Sequence, residues 1–313
     1  MPKHRHISRP IILGIVGDSA AGKTTLAAGI AQILGSERVA MICTDDYHKY
    51  SRAERTKLNV TALSPEANYV DIIEQHLALL RAGKSILKPN YNHHGGTLDA
   101  PNYVEPKDYI IIEGLLGYST RAMRDCYDVK VYLDPEESLR VNWKIQRDTA
   151  KRGYNPEQVK AELEKRKCDT EQFIRPQRAF ADIVVQAHLP QCQKEGGEAT
   201  VGISHMLRPT LPHPDLAPVL ESTGGNGLRF ELARDGDSKP VDLLEISGDI
   251  PENRAQRIEN LLWDLIPEAA HMRENVGVFT NGENKPAISH PLALSQLFIT
   301  YHIVKAAMGI HAI

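Results

Sequence analysis

The sequence predicts an α/β fold: a mostly parallel, twisted sheet flanked by helices, followed by a β-rich C-terminal extension. Three observations carry this expectation. The apolar stretch Ile11-Ile-Leu-Gly-Ile-Val16 runs into a glycine-punctuated turn and then into Leu26-Ala-Ala-Gly-Ile-Ala-Gln-Ile-Leu34, which reads as strand, loop and helix. The runs Val39-Ala-Met-Ile-Cys43 and Tyr109-Ile-Ile-Ile112 are continuously apolar rather than alternating, as a parallel strand covered on both faces requires. Strand-like and helix-like segments then alternate as far as residue 190.

The turn after the first strand is Gly17, Asp18, Ser19, Ala20, Ala21, Gly22, Lys23, Thr24, Thr25, the GxxxxGKT pattern of a phosphate-binding loop. Glycines let consecutive N–H groups curl around an anionic triphosphate at a helix N-terminus. Lys23 reaches its terminal phosphates, and the Thr24 hydroxyl can hold Mg²⁺. A plain Gly-rich turn is the alternative, but the full pattern between a strand and a helix makes ATP the expected ligand.

Asp45 and Asp46 follow the second strand, at the sheet end where open α/β folds place their ligands. A carboxylate there can accept a proton from an attacking hydroxyl or hold Mg²⁺, and two adjacent residues on an extended segment cannot both point inward. Glu113 ends the next buried strand and reads as a second metal-site element with Thr24. Further strands are expected at Tyr127–Leu133 and Ala181–Val185, with helices near 66–82, 135–151, 156–167 and 169–179. On the helix near 135–151, Lys144, Arg147, Asp148 and Lys151 share one face, either solvated surface or, with Arg152, a basic lid over a transferring phosphoryl group. The segment Lys88-Pro-Asn-Tyr91-Asn-His93-His94-Gly95-Gly96 reads as a loop suited to an acceptor pocket.

Beyond residue 190 the texture changes. Gly196-Gly197 and Ser222-Thr-Gly-Gly-Asn-Gly227 punctuate short strands such as Leu228–Leu232 and Val241–Ile246, and helices are expected near 252–265 and 291–308. The division is therefore 1–190 for the core and 191–313 for a mixed extension packed on it. The last helix is apolar through Leu294, Leu297, Phe298, Tyr301 and Ile303, so it packs on the core or on a second subunit.

Composition narrows the function classes. The 313 residues are 42% hydrophobic with a formal charge of -3, which argues against general binding to nucleic acid. No apolar span of membrane length occurs, so a cytoplasmic protein with no membrane partner is expected. The cysteines at 43, 126, 168 and 192 lack metal-ligand spacing and read as free thiols.

Taken together, these motifs resemble the phosphoribulokinase branch of the phosphoribulokinase/uridine kinase family, which has a P-loop kinase fold. The resemblance spans most of residues 10–188. It rests on the phosphate loop, Thr44-Asp-Asp-Tyr-His-Lys-Tyr50, Thr61-Ala-Leu-Ser-Pro-Glu-Ala-Asn68, Lys88-Pro-Asn-Tyr-Asn-His93, Ile112-Glu-Gly-Leu115, Trp143-Lys-Ile-Gln-Arg-Asp148 and Lys151-Arg-Gly153. It implies Asp45 as catalytic base, Lys23, Thr24 and Glu113 serving ATP and Mg²⁺, and His48, Arg52, Tyr91 and His93 around a sugar phosphate. Arg147, Asp148 and Arg152 inherit acceptor and catalytic duties, with Lys144 in support. The implied reaction is ATP-dependent phosphorylation of D-ribulose 5-phosphate to the 1,5-bisphosphate, a step of the reductive pentose phosphate (Calvin) cycle; assembly does not follow from the resemblance, and a homodimer or higher homo-oligomer is expected separately. Two positions depart from the family pattern: Leu116 stands where His is common, and Ala21 stands where photosynthetic members carry a regulatory cysteine. A nucleoside or other pentose-phosphate acceptor, and a nucleotide-binding regulator without transfer activity, are the competing readings.

Overall fold

The computed structural model describes residues 9–190, 200–216, 227–236, 238–267, 269, 276–281 and 285–309. The first strand, β1 (Ile11–Gly17), is buried at every position and lies between β5 (Tyr109–Gly114) and β6 (Val129–Leu133). With β2 (Val39–Cys43) outside β5 and β7 (Ile183–His188) outside β6, these five strands run parallel. Their continuous apolar runs are therefore covered by helices on both faces, as the sequence predicts.

The sheet does not stop at residue 190. Strand β8 (Gly202–Leu207) pairs antiparallel with β7, and β10 (Pro240–Ile246) and β9 (Leu228–Arg234) follow, giving the order β2-β5-β1-β6-β7-β8-β10-β9. A short pair, β11 (Val278–Thr280) and β12 (Pro286–Ile288), lies apart from it. The glycine runs at 196–197 and 222–226, together with Cys192, fall outside the described residues.

Helix α1 (Lys23–Leu34) starts at Gly22, whose φ of 94° only glycine adopts cheaply. Helix α2 (Arg52–Leu58) carries a Ser51/Glu54 capping box, and α3 (Val70–Arg81) and the short α4 (Arg121–Arg124) precede β3 and β6 respectively. Helix α5 (Glu137–Arg152) ends at Gly153, and α6 (Pro156–Asp169) opens on an Asn155/Gln158 capping box with Pro156 in its first turn. The expected helix at 169–179 is instead a π-helical turn, Thr170–Ile174, running into a 3₁₀ turn, Arg175–Phe180, where Pro176 removes a backbone donor.

A second correction concerns residues 88–96. They are not a loop between helix and strand but most of a β-hairpin, β3 (Ile86–Asn92) with β4 (Thr97–Val104). Seven of the eight β4 residues are exposed, so there is no apolar alternation to betray the strand, and Pro89 sits inside β3 at a register shift.

The extension closes with α7 (Glu252–Asp264) and α8 (His290–Ala307). The last helix packs directly behind the phosphate-loop helix. Gln296 is fully buried, its Oε1 accepts from Gly277 N at 2.8 Å, and a Cβ at Gly29 would come within 2.1 Å of its amide nitrogen. The main apolar cluster accordingly joins α1 residues such as Ile30 and Leu34 to Leu294, Leu297 and Phe298. No helix among the described residues is long and apolar enough to cross a membrane.

Around Phe298 this interface buries His205 and His302, with ring centroids 5.6 and 5.0 Å from the phenyl ring. Burial holds His205 down to about 4 and, with the neighbouring His213 also disfavouring charge, His302 down to about 3. Both are thus neutral when folded, whereas an unfolded chain takes up their protons near pH 6.5. The unfolded state binds more protons below that value, so stability falls as pH drops from about 6.5 towards 4. Thermal unfolding from pH 7.5 to 4.5 should show this slope, and His302→Leu combined with His205→Leu should flatten it; an unchanged slope in the double variant would assign the acid sensitivity elsewhere.

Candidate active site

The site is built at the carboxyl end of the parallel strands. The phosphate loop arches over β1 and turns back through Ala20, at φ 66°, and Gly22. Lys23 is 7% exposed and donates to the carbonyls of Gly17 at 3.0 Å and Asp18 at 2.9 Å, which bends its ammonium back over the loop. Asp18 accepts from Ser19 N at 2.6 Å and pairs with Arg140 at 3.1 Å, while Arg140 also donates to Ser19 O at 3.2 Å. The sequence reading missed Arg140. It stands in the first turn of α5 and ties that helix to the loop.

Glu113 connects the loop to β2. In register it faces Ile15 on one side and Cys43 on the other, and its Oε1 accepts from the Thr24 hydroxyl at 3.1 Å. Burial raises its proton affinity, against the opposing charge of Lys23. The next residue, Gly114, has φ 153°, and a Cβ there would fall 1.9 Å from Thr44 Oγ1, which accepts from Leu115 N at 3.1 Å. Only glycine lets the β5 end approach the β2 turn this closely. Leu116 is 2% exposed and packs with Leu63, Leu115 and Ile174, so this departure from the family pattern is a small apolar core position.

The Thr44–Tyr47 turn separates the two aspartates by role. Asp46 receives the Lys88 ammonium and, at 3.4 Å, Tyr91 N, and so anchors the β3–β4 hairpin. The Asp45 carboxylate has no side-chain partner among the described residues.

Hairpin and turn pack together beside the phosphate loop. Asn68 uses both amide hydrogens on the carbonyls of Ala62, at 3.0 Å, and Ser64, at 2.8 Å, so its oxygen faces His48 Nδ1 at 2.6 Å as an acceptor. His48 therefore carries its proton on Nδ1 and presents a lone pair on Nε2. Burial holds it near 4, with Asp45 pulling the other way and Arg55 adding to the depression. Tyr91 is wedged between His48 and His93, with ring centroids 4.7 and 5.1 Å away. His93 is also held below its usual value by burial, and Asp45, Asp46, Arg152 and Arg147 all act on it. Arg52 donates to His93 O at 2.8 Å. His94 and Tyr103 are exposed.

The charged face of α5 is not solvated surface. Lys144 and Asp148 are 1% and 3% exposed and pair at 3.0 Å, with Arg147 at 2.8 Å and Arg152 at 3.4 Å on the other Asp148 oxygen. Burial by itself would raise Asp148, but the Arg147 hydrogen bond and the Lys144 charge hold it below its usual value. Lys144 is lowered to about 8 by burial and by Arg166. Arg147 donates to Ser19 Oγ at 3.3 Å, so this face closes on the phosphate loop. The side chain of Lys151 lies outside the described residues.

The glycine turn before a helix, the buried Lys23, the Thr24–Glu113 pair and the five parallel strands define a P-loop kinase fold. The profile of the phosphoribulokinase/uridine kinase family matches residues 12–192, and the chain belongs to that family. It is 42% identical over 180 residues to a phosphoribulokinase of Synechocystis sp., covering 58% of this chain and 54% of the relative. It is 32% identical over 203 residues to a uridine kinase of Lactococcus lactis subsp. cremoris, covering 63% of this chain and 94% of the relative. The chain spans about half the length of the curated phosphoribulokinases it matches. In fold it is similar to a phosphoribulokinase structure from Rhodobacter spheroides, with TM-score 0.58, 19% identity and coverage of 85% of this chain and 99% of that one.

Among the described cysteines, Cys43, Cys126 and Cys168 are free thiols. Ala21 cannot form a disulfide, and Cys43 is protected: burial, then Asp45, Glu113 and Asp46, push its thiol well above the ordinary value. Iodoacetamide at pH 7.5 should therefore label Cys43 at least about tenfold more slowly than the exposed Cys168. Peptide mass spectrometry over time reads the ratio, and equal rates would refute this account of Cys43.

Proposed function

We propose that this protein transfers the γ-phosphoryl group of ATP to D-ribulose 5-phosphate, giving the 1,5-bisphosphate, as a cytoplasmic homodimer or larger homo-oligomer with no nucleic-acid or membrane partner. The observation that carries the reading is the setting of His93. It lies in the combined fields of Asp45, Arg147 and Arg152, with Arg52 bonded to its carbonyl. Three guanidiniums gathered around His93 suit an acceptor that already bears a phosphate, since a bare nucleoside gives a guanidinium fork little to bind. The 42% identity to a phosphoribulokinase supports the same reading.

In this mechanism the loop amides and Lys23 hold the triphosphate, and Arg147 approaches from α5 over Ser19. Thr24 and Glu113, paired at 3.1 Å, are the residues that would hold Mg²⁺. When bound, the ion offsets charge on the phosphate oxygens. Asp45, the aspartate without a competing side-chain partner among the described residues, accepts the proton of the attacking hydroxyl. His48, neutral and with its lone pair on Nε2, suits a sugar hydroxyl better than a phosphate, which leaves the 5-phosphate to Arg52, His93, Arg147 and Arg152. Asp148, with Lys144 beneath it, holds Arg147 and Arg152 in place.

A coupled assay across ribulose 5-phosphate, ribose 5-phosphate and uridine tests the assignment directly. Ribulose 5-phosphate should be strongly preferred, and efficient phosphorylation of uridine would replace this reading with a nucleoside kinase. Asp45→Asn should leave ATP binding intact and lower turnover by roughly two to four orders of magnitude. Near-normal turnover in that variant would move the base elsewhere.

Arg52→Ala separates the acceptor site from the nucleotide site. Charge-assisted bonds are worth about 1.5–3 kcal/mol, so its KM for ribulose 5-phosphate should rise roughly 10- to 150-fold with little change for ATP. Equal loss for both substrates would give Arg52 a role in the fold instead.

A further inference from the structure

Arg55 is the third residue past the Arg52 that opens α2, and neither the nucleotide loop nor the acceptor contacts above employ it. It is 8% exposed. One guanidinium nitrogen donates to Tyr50 O at 2.6 Å and the other to Tyr91 Oη at 2.7 Å, with the guanidinium carbon 5.0 Å from the Tyr91 ring centre. Among the described residues no carboxylate forms an ion pair with it. Burying a cation is costly, and two neutral acceptors with a ring face offset that cost only in part.

The position of this charge gives it two effects. Tyr91 touches His48 and His93 edge to face, at interplanar angles of 85° and 76°, so the group that grips its hydroxyl also sets the gap between the two imidazoles. The same charge acts on His48 directly. The groups facing His48 are Asp45 on its own turn, Asn68 at Nδ1, Arg55 from α2, and Tyr91 and His93 from the hairpin. Of these, Asp45 favours an imidazolium, and Arg55 is the fixed positive charge that opposes it.

We propose that Arg55 is a positioning residue of the acceptor pocket: it clamps Tyr91 between His48 and His93, and its charge keeps the His48 Nε2 lone pair open to a hydroxyl of the sugar phosphate. This rests on the acceptor reading of the turn and hairpin given above. It adds a device that neither the phosphate-loop pattern nor the acceptor motifs reveal, because Arg55 acts through Tyr91 and His48 rather than on the substrate.

The test uses the full chain and the variants Arg55→Gln, Arg55→Lys and Tyr91→Phe, with kinetics for both substrates, the pH profile of kcat/KM for the acceptor, and an NMR titration of the His48 ring. Removing a cation makes His48 easier to protonate, so in Arg55→Gln its titration and the acidic limb of the profile should both move to higher pH. KM for ribulose 5-phosphate should rise by about tenfold, the scale of one charge-assisted hydrogen bond, with KM for ATP unchanged. Arg55→Lys keeps the charge and loses the fork, and Tyr91→Phe loses the hydroxyl. Each should raise the acceptor KM without moving the limb, and Arg55→Lys supplies the comparison if Arg55→Gln fails to fold.

An unmoved His48 titration in Arg55→Gln, or equal losses for both substrates accompanied by a lower melting temperature, would overturn the proposal and leave Arg55 a structural residue. Failure of the wild type to phosphorylate ribulose 5-phosphate would refute the functional reading instead. The His48 titration, which needs no turnover, would still decide the effect of Arg55.

Discussion

The buried carboxylate of Glu113 is the point through which the parts of this site meet. It stands at the end of β5, between the strand that leads into the phosphate loop and the strand that leads into the Asp45 turn. Through Thr24 it touches the first turn of α1, and through Gly114 the chain presses against Thr44. A carboxylate at 8% exposure is costly to ionise unless cations and donors surround it, and Lys23 and Thr24 provide both. The nucleotide loop and the proposed base are thus held in a fixed relation by one strand end, which a reaction governed by positioning requires.

A second organising element is Asp148. Three cations converge on its two oxygens, and two of them, Arg147 and Arg152, also act on His93. A buried charge cluster of this kind adds little net stability, since desolvation offsets most of the attraction. Its effect is geometric. It fixes two long side chains on one helix, and Arg140 fastens the start of that helix to Asp18 and Ser19. The helix therefore joins the phosphate loop to the hairpin that carries His93.

The extension contributes from behind. By continuing the parallel sheet with β8, β10 and β9 and laying α8 against α1, it buries the face of the phosphate-loop helix that would otherwise meet water. The contact of Gln296 with Gly29 leaves no room for a side chain there, so this packing is specified as tightly as the loop itself. The family profile covers residues 12–192, whereas the similarity in fold to the Rhodobacter spheroides phosphoribulokinase covers 85% of the chain.

Much of the core was legible in the sequence, because glycine spacing and apolar continuity are local signals. The phosphate loop, the buried strands, Asp45, Glu113 and the one-sided charge on α5 all follow from patterns within a few residues. What remained hidden depends on contacts between distant segments. The division of labour between Asp45 and Asp46 was decided by Lys88 and Tyr91 N, some forty residues away. The β3–β4 hairpin escaped notice because its strands are solvated and carry no alternation, and the burial of Lys144 and Asp148 because a charged helix face reads as surface until its neighbours are known. The His48 tautomer was settled only by Asn68, whose amide is oriented by two carbonyls of its own turn. The sequence by itself determined the phosphate loop, the buried strands and where the candidate groups stand along the chain, since their identities and local spacing are written in it. Tertiary structure decided which of them are charged, partnered and facing one another, because burial and long-range hydrogen bonds exist only once the strands are assembled.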